Sequence, residues 1–194
     1  MPNTAVRQRL LDLLVTHSYQ RAADERFVLT SGKRSNYYVN CKTTTMRGEA
    51  LPLIGELVAE HLPASTEGIG GLTLGADAIA GAAVYYCQTI GRAVNWFTVR
   101  KQAKQHGTQQ FIEGVPGARV LIVDDVVTTG GSTIDAIRKC RAEGKIIDAV
   151  VVLVDRQEGG MEGVRAEAGS GVPVHALFER AELEARWQDL QKTG

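Results

Sequence analysis

The stretch that most constrains this chain is residues 120–133, VLIVDDVVTTGGST. It opens with Val120, Leu121, Ile122 and Val123, a continuous apolar run rich in β-branched residues, as suits a strand buried on both faces of a parallel sheet. Asp124 and Asp125 follow at once, then Val126 and Val127, then Thr128-Thr129-Gly130-Gly131-Ser132. Beyond them the apolar residues take helical spacing through Ile134, Ile137 and Cys140, and Ser132 with Asp135 fits the S-x-x-D form of a capping box. The expected unit is strand, acidic pair, hydroxyl- and glycine-rich loop, helix N-terminus. Such a loop is an anion cradle, because free backbone N–H groups and the positive end of the helix dipole converge there. Gly130 and Gly131 allow close backbone approach, and the hydroxyls add donors. Two carboxylates would repel a phosphate, so they are expected to face sugar hydroxyls, or a hard cation such as Mg²⁺, on the same ligand. A phosphorylated ribose satisfies both halves.

The rest of the chain sets limits. Its 194 residues suit one domain with a sizeable core. Lys plus Arg balances Asp plus Glu at 22 each, which argues against a general nucleic-acid or membrane surface. Cys41, Cys87 and Cys140 are odd in number and far apart, so they read as reduced structural thiols and point to a cytoplasmic home. The first residues lack the apolar core of a signal peptide. The longest apolar run, residues 149–154, is far too short to span a bilayer.

In order, Val6, Leu10, Leu13, Leu14 and His17 predict an opening amphipathic helix, with His17 packed or capping. Residues 27–29 and 37–39 predict two short strands around a polar loop, forming a small flap over the sheet. A helix through Leu53, Ile54, Leu57, Val58 and His61 ends before Pro63. A short strand at 68–72, a loop at 73–77 and a helix ending at Gly91 come next. Thr73 breaks a G-x-G-x-x-G pattern, and no G-x-x-x-x-G-K-[ST] occurs, so neither dinucleotide nor P-loop chemistry is indicated. Residues 93–99 predict a strand, and 100–110 a polar loop with no large apolar residue to anchor it. After the central motif come a helix at 132–143, a strand at 146–154, a strand at 172–178 and a charged helix at 179–191 with Leu183, Trp187 and Leu190 inward. Arg156 is expected on the same sheet edge as Asp124 and Asp125.

The run at 120–132 resembles the phosphoribosyl-diphosphate (PRPP) motif of type I phosphoribosyltransferases. Alone, it also fits purine or pyrimidine salvage enzymes and PRPP-sensing regulators that catalyse nothing. Three further stretches narrow the choice: LTSGKRSNYY at 29–38, RKxxKxHG at 100–107 and DRxEGG at 155–160. In order and spacing they resemble the orotate phosphoribosyltransferase family over nearly the whole chain. The resemblance implies an α/β fold of the type I phosphoribosyltransferases, a parallel sheet flanked by helices. It implies a single domain over 1–194, with a hood mainly at 1–45 and a core at about 46–194.

The implied reaction transfers the phosphoribosyl group of PRPP to orotate, giving orotidine 5′-monophosphate and pyrophosphate. Asp124 and Asp125 match the acids on the ribose hydroxyls; Val126, Val127, Thr128, Thr129, Gly130, Gly131 and Ser132 match the 5′-phosphate loop. Arg100, Lys101, Lys104 and His106 match the pyrophosphate ligands, with Lys104 and His106 acting on the transition state. Thr128 and Arg156 match orotate contacts, and backbone at Tyr38 and Val39 flanks the ring. Mg²⁺ is the implied cofactor, held mainly by PRPP near Asp124 and Asp125, with no direct protein ligand expected. The implied assembly is a homodimer, in which Arg100, Lys104 and His106 reach the partner's site while Lys101 serves its own. Where many members carry LKSG this chain has Leu29-Thr30-Ser31-Gly32, and where some carry an aromatic–lysine pair it has Leu74-Gly75. The loop at 73–77 is therefore expected to meet pyrophosphate through its backbone.

Overall fold

The computed structural model describes residues 4–28, 34–103 and 110–193. Helix α1 (Thr4–His17) buries Leu10, Leu11, Leu14 and Val15. The inward stripe thus keeps Leu10 and Leu14 but adds Leu11 and Val15, while Val6, Leu13 and His17 are only partly buried. The N-terminal strands pair differently from the expected flap. Strand β1 (Tyr19–Arg21) pairs antiparallel with β4 (Tyr37–Val39), and β2 (Phe27–Val28) pairs with β3 (Arg34–Ser35). Residues 37–39 thus take their partner from 19–21 rather than from 27–29. In β1 only Tyr19 is buried, which left no alternation to read. A one-turn helix, α2 (Lys42–Thr45), leads into α3 (Leu51–Ala59), which carries Pro52 in its first turn and ends before Pro63.

The core then alternates. Strand β5 (Gly68–Leu72), helix α4 (Asp77–Thr89), strand β6 (Asn95–Val99) and the short β7 (Ile112–Gly114) precede the long β8 (Arg119–Val127). Helix α5 (Gly131–Ala142), strand β9 (Ile146–Asp155), helix α6 (Gly160–Ala168), strand β10 (Val174–Glu179) and helix α7 (Arg180–Thr193) complete it. The six strands lie in the order β10-β9-β8-β5-β6-β7. All neighbours pair in parallel except β7, an antiparallel edge that caps β6. The apolar runs of β8 and β9 are buried on both faces, which is why they do not alternate with polar residues. Leu121 and Val123 join the side packed by α1, α3, α4 and α7, whereas Val120 and Ile122 join the side packed by α5 and α6.

This order fixes where a ligand can bind. From β5 the chain moves outward to β6, then returns to β8 and proceeds the opposite way to β9 and β10. The switch point lies between β5 and β8, and open α/β sheets bind ligands at the carboxyl edge there. Pairing of β5 with β8 ends at Gly70 and Ile122, while β8 stays paired with β9 as far as Val127 and Asp155. A crevice therefore opens on one side of β8, just where the acids begin.

Three local expectations need correction. The acids do not follow the strand but lie inside it, since β8 runs on to Val127. The capping box at Ser132 and Asp135 is absent: Gly130 is the N-cap, at φ +82°, with no side-chain cap, and Asp135 instead pairs with Lys139 at 2.6 Å. Helix α6 follows D-R-x-E-G-G directly, where no element was expected.

Candidate active site

Period-two alternation along β8 turns the two acids to opposite faces. Asp124 points toward α5, where its Oδ2 accepts from the Thr133 hydroxyl at 2.6 Å and its Oδ1 accepts from the Asp125 N–H at 2.9 Å. Asp125 points toward the N-terminal segment, where its Oδ2 accepts from Lys42 Nζ at 2.9 Å. Both are buried. Burial, and then the charge of Asp125, push the Asp124 carboxyl up to about 7, against the opposing Thr133 hydrogen bond.

Beyond the acids the chain turns through Thr128 and Thr129 into α5. Gly131 and Ser132 are exposed at the first turn of that helix, with its free N–H groups directed outward. At Gly130 a Cβ would meet the carbonyl oxygen of Gly160 at 2.7 Å. At Gly160 a Cβ would meet Gly130 N and Thr129 C, both at 2.7 Å. The N-termini of α5 and α6 therefore interlock through two glycines, and the second belongs to D-R-x-E-G-G. That motif buttresses the anion loop as well as carrying Arg156.

Arg156 is 4% exposed, so it is not the surface ion pair that an Asp-Arg dipeptide at a strand end can form. Its backbone N–H donates to Val127 O at 3.0 Å, which ties it to the end of β8. Its guanidinium stacks on the Tyr37 ring at 5.2 Å, and Nη2 lies 2.9 Å from Glu158 Oε1. That approach is an ion pair without hydrogen-bond alignment, since neither Nε nor Nη2 has a hydrogen-bond partner among the described residues. The guanidinium is thus buried with its hydrogen-bonding capacity along the Nε–Nη2 edge unused, although Nη2 already faces the Glu158 carboxylate. Tyr37, rather than Tyr38, is the tyrosine that meets Arg156. Tyr38 stacks on Phe27 at 5.8 Å, and Val39 is buried.

Across the crevice, the loop after β5 presses against the acids. A Cβ on Gly75 would lie 2.5 Å from Asp125 Oδ1, so this approach requires glycine. Asp77 holds the loop by accepting from the hydroxyls of Thr73 at 2.6 Å and Thr98 at 2.9 Å. Beside it is a cavity of about 560 Å³ lined by Thr73, Thr98, Arg100, Lys101, Gln102 and Glu113. Arg100 pairs with Glu113 at 2.9 Å, and the carbonyls of Arg100 and Lys101 accept from Lys139 Nζ at 3.1 and 2.8 Å. Arg100 and Lys101 therefore stand at the same edge as the acids and Arg156. Lys104 and His106, and the segment 29–33 with Thr30, lie outside the described residues.

Sequence reasoning missed Lys42 and Tyr37. No motif marks a lysine that reaches an aspartate 83 residues away, although Tyr37 shares the N-Y-Y-V-N string with the two residues selected. Among the described residues, no group of three or more His, Cys, Asp or Glu side chains is arranged to hold a metal.

The chain from residue 70 to residue 166 matches the family described as the phosphoribosyl transferase domain. It is 41% identical over 186 residues to an orotate phosphoribosyltransferase of Synechocystis, covering 94% of this chain and 91% of that protein. Its fold matches the crystal structure of Mycobacterium tuberculosis orotate phosphoribosyltransferase in complex with Fe(III) dicitrate. The TM-score is 0.78 at 36% identity, over 92% of this chain and 98% of that one. A second structure of the Mycobacterium tuberculosis enzyme, in complex with PRPP, matches with a TM-score of 0.71 at 30% identity, over 92% of each chain.

Proposed function

The chain belongs to the orotate phosphoribosyltransferase family, and from that premise we propose how its residues divide the work. The enzyme transfers the phosphoribosyl group of PRPP to orotate in pyrimidine biosynthesis, giving orotidine 5′-monophosphate and pyrophosphate. The observation that carries the residue assignment is buried Arg156 at the carboxyl edge of the sheet, stacked on Tyr37 and without a hydrogen-bond partner at Nε and Nη2 among the described residues. Orotate differs from uracil by a carboxylate, and a dry, preoriented guanidinium is the group that selects for it.

In this reading the exposed turn at 128–132 binds the 5′-phosphate through backbone N–H groups and hydroxyls. Asp124 and Asp125 take the ribose hydroxyls in the crevice between β5 and β8. The ring nitrogen of orotate attacks C1 of the ribose on one face as pyrophosphate leaves on the other. Bond breaking at an anomeric carbon develops oxocarbenium character, as in glycoside hydrolysis. The protein therefore acts by positioning both partners and by stabilising charge on the leaving group. Lys101, beside the cavity, receives the pyrophosphate of its own site together with backbone of 73–77, and Arg100 reaches that of the partner's site. Lys104 and His106 keep the transition-state role that the family pattern assigns them. Thr128, with backbone at Tyr38 and Val39, borders the pyrimidine.

Mg²⁺ fits this site as a passenger on PRPP. The oxygens of Asp124 and Asp125 are hard donors, yet three of the four already have partners or a close neighbour in Thr133, the Asp125 N–H and Lys42. When bound to the diphosphate, Mg²⁺ offsets charge on the leaving group. Reduced, buried Cys41, Cys87 and Cys140 support a cytoplasmic enzyme. A homodimer is supported by an exposed apolar groove of about 880 Å³ that includes Met46, Leu51, Tyr85, Tyr86 and Trp96, and the sharing of lids within it follows the family pattern. The test is turnover of PRPP with orotate, uracil or hypoxanthine, each with Mg²⁺ and again in excess chelator. Consumption of orotate alone, abolished by chelator, is expected. Turnover of hypoxanthine, or orotate consumption that survives chelation, overturns the reading.

A further inference from the structure

Asp125 is held by a residue that lies outside every motif of the family pattern. Lys42 is the first residue of α2, and that short helix is bolted to the end of α1. The Thr43 hydroxyl donates to His17 O at 2.7 Å, the Thr44 hydroxyl donates to Leu13 O at 3.2 Å, and Thr44 Oγ1 and Ser18 Oγ share a 2.6 Å hydrogen bond. Cys41, just before the helix, is fully buried. The backbone of Lys42 is therefore fixed, and its side chain crosses to Asp125 Oδ2 at 2.9 Å. The aspartate side chain is 6% exposed and the lysine 40%, so the ammonium sits at the mouth of the crevice with the carboxylate inside.

Geometry leaves the two oxygens of Asp125 unequal. Oδ2 faces Lys42, while Oδ1 faces Gly75 of the loop across the crevice. A second carboxylate, Asp124, lies next to it, with Thr133 on the α5 side and Arg156 further along the same edge. Without a cation nearby, two adjacent buried carboxylates repel and share a proton, and a protonated acid is a poor acceptor for a hydroxyl. We propose that Lys42 is a positioning residue: it holds Asp125 by one oxygen so that the other is aimed at a ribose hydroxyl of PRPP. This rests on the assignment of the acidic pair to the ribose.

The test compares ribose 5-phosphate with 2-deoxyribose 5-phosphate by calorimetry, on the full-length wild type and on Lys42→Met and Lys42→Arg. A hydrogen bond to a charged group predicts that the wild type prefers the hydroxylated sugar by about tenfold or more. Lys42→Met should cut that preference below about threefold, and Lys42→Arg should restore most of it, because the charge returns. Lys42→Gln replaces the methionine variant should that fail to fold. A neutral variant that keeps the wild-type preference, even with weaker overall binding, reduces Lys42 to a structural ion pair and overturns the proposal. A wild type with no preference for the hydroxylated sugar is a different failure. It removes the acidic pair from the ribose, and the role of Lys42 with it.

Discussion

Arg156→Ala is the sharpest perturbation of substrate choice. The side chain is 4% exposed, and its Nε and Nη2 carry no hydrogen bond among the described residues, so a carboxylate that displaces Glu158 would satisfy both. Removing one partner of a desolvated charge pair costs about 2–4 kcal/mol, or about 30- to 900-fold in Kd at 25 °C. The protein itself should lose little. Glu158 keeps the hydrogen bond from the Tyr37 hydroxyl at 2.8 Å, so the change does not strand a buried charge. Calorimetry of orotate with pyrophosphate and Mg²⁺ present reads the loss directly, and PRPP binding should stay within about threefold of wild type. Uracil, which lacks the carboxylate, should bind wild type and variant alike. Arg156→Lys should fall between, because an ammonium keeps the charge but not the fork. If orotate binds the alanine variant as tightly as wild type, Arg156 is not its carboxylate partner and the reasoning fails.

Gly160→Ala should drive α6 away from the anion loop, since its Cβ would meet backbone atoms at 2.7 Å. A destabilisation of about 1–3 kcal/mol, or about 2–10 °C in Tm, is expected together with weaker PRPP binding, and an unchanged melting curve refutes it. Asp124 should give the fold a pH-dependent stability. Its folded pKa is raised from the ordinary 3.8 to about 7, so the folded chain keeps a proton that the unfolded chain has released, and stability declines as pH rises across that window. In Asp124→Asn the decline should flatten, which denaturant titrations between pH 4 and 8 would detect; a slope equal to wild type removes Asp124 as its source. Asp125→Asn and Lys104→Ala, each inactive alone, should recover about a quarter of full activity when their dimers are exchanged at random, because each mixed dimer holds one intact site. Mixed dimers confirmed by mass spectrometry but without activity would mean that each subunit closes its own site.

Legibility followed the range of the interactions. Strands β5, β8 and β9 were readable because burial on both faces demands an unbroken apolar run, and α5 because its period changes at the glycines. The acids, the 128–132 turn and Arg156 were readable because a phosphate cradle and the carboxyl edge of a sheet impose local order on the sequence. Pairing of β1 with β4 was not, because short strands with few buried side chains are matched by geometry alone. Helix α6 begins after Gly159 at φ +88° and contains Gly160 and Gly163, residues that weaken a helical signal. Ser132 looked like a cap, but a left-handed glycine already ends the turn and leaves the helix N–H groups for a ligand. Lys42 escaped because a long-range ion pair leaves no mark on its neighbours.

The meshing of Gly130 with Gly160 ties two recognition tasks to one hinge-free block. Gly130 and Gly160 lie 30 positions apart in sequence, yet each packs so closely on the other's backbone that a Cβ on either would clash. Transplanting the donor loop alone into a relative with a different acceptor would meet a misfitting neighbour, whereas exchanging residues 124–165 as one cassette would carry its own fit. Diversification of acceptors on this scaffold is then channelled into side chains lining the block, with its backbone held constant.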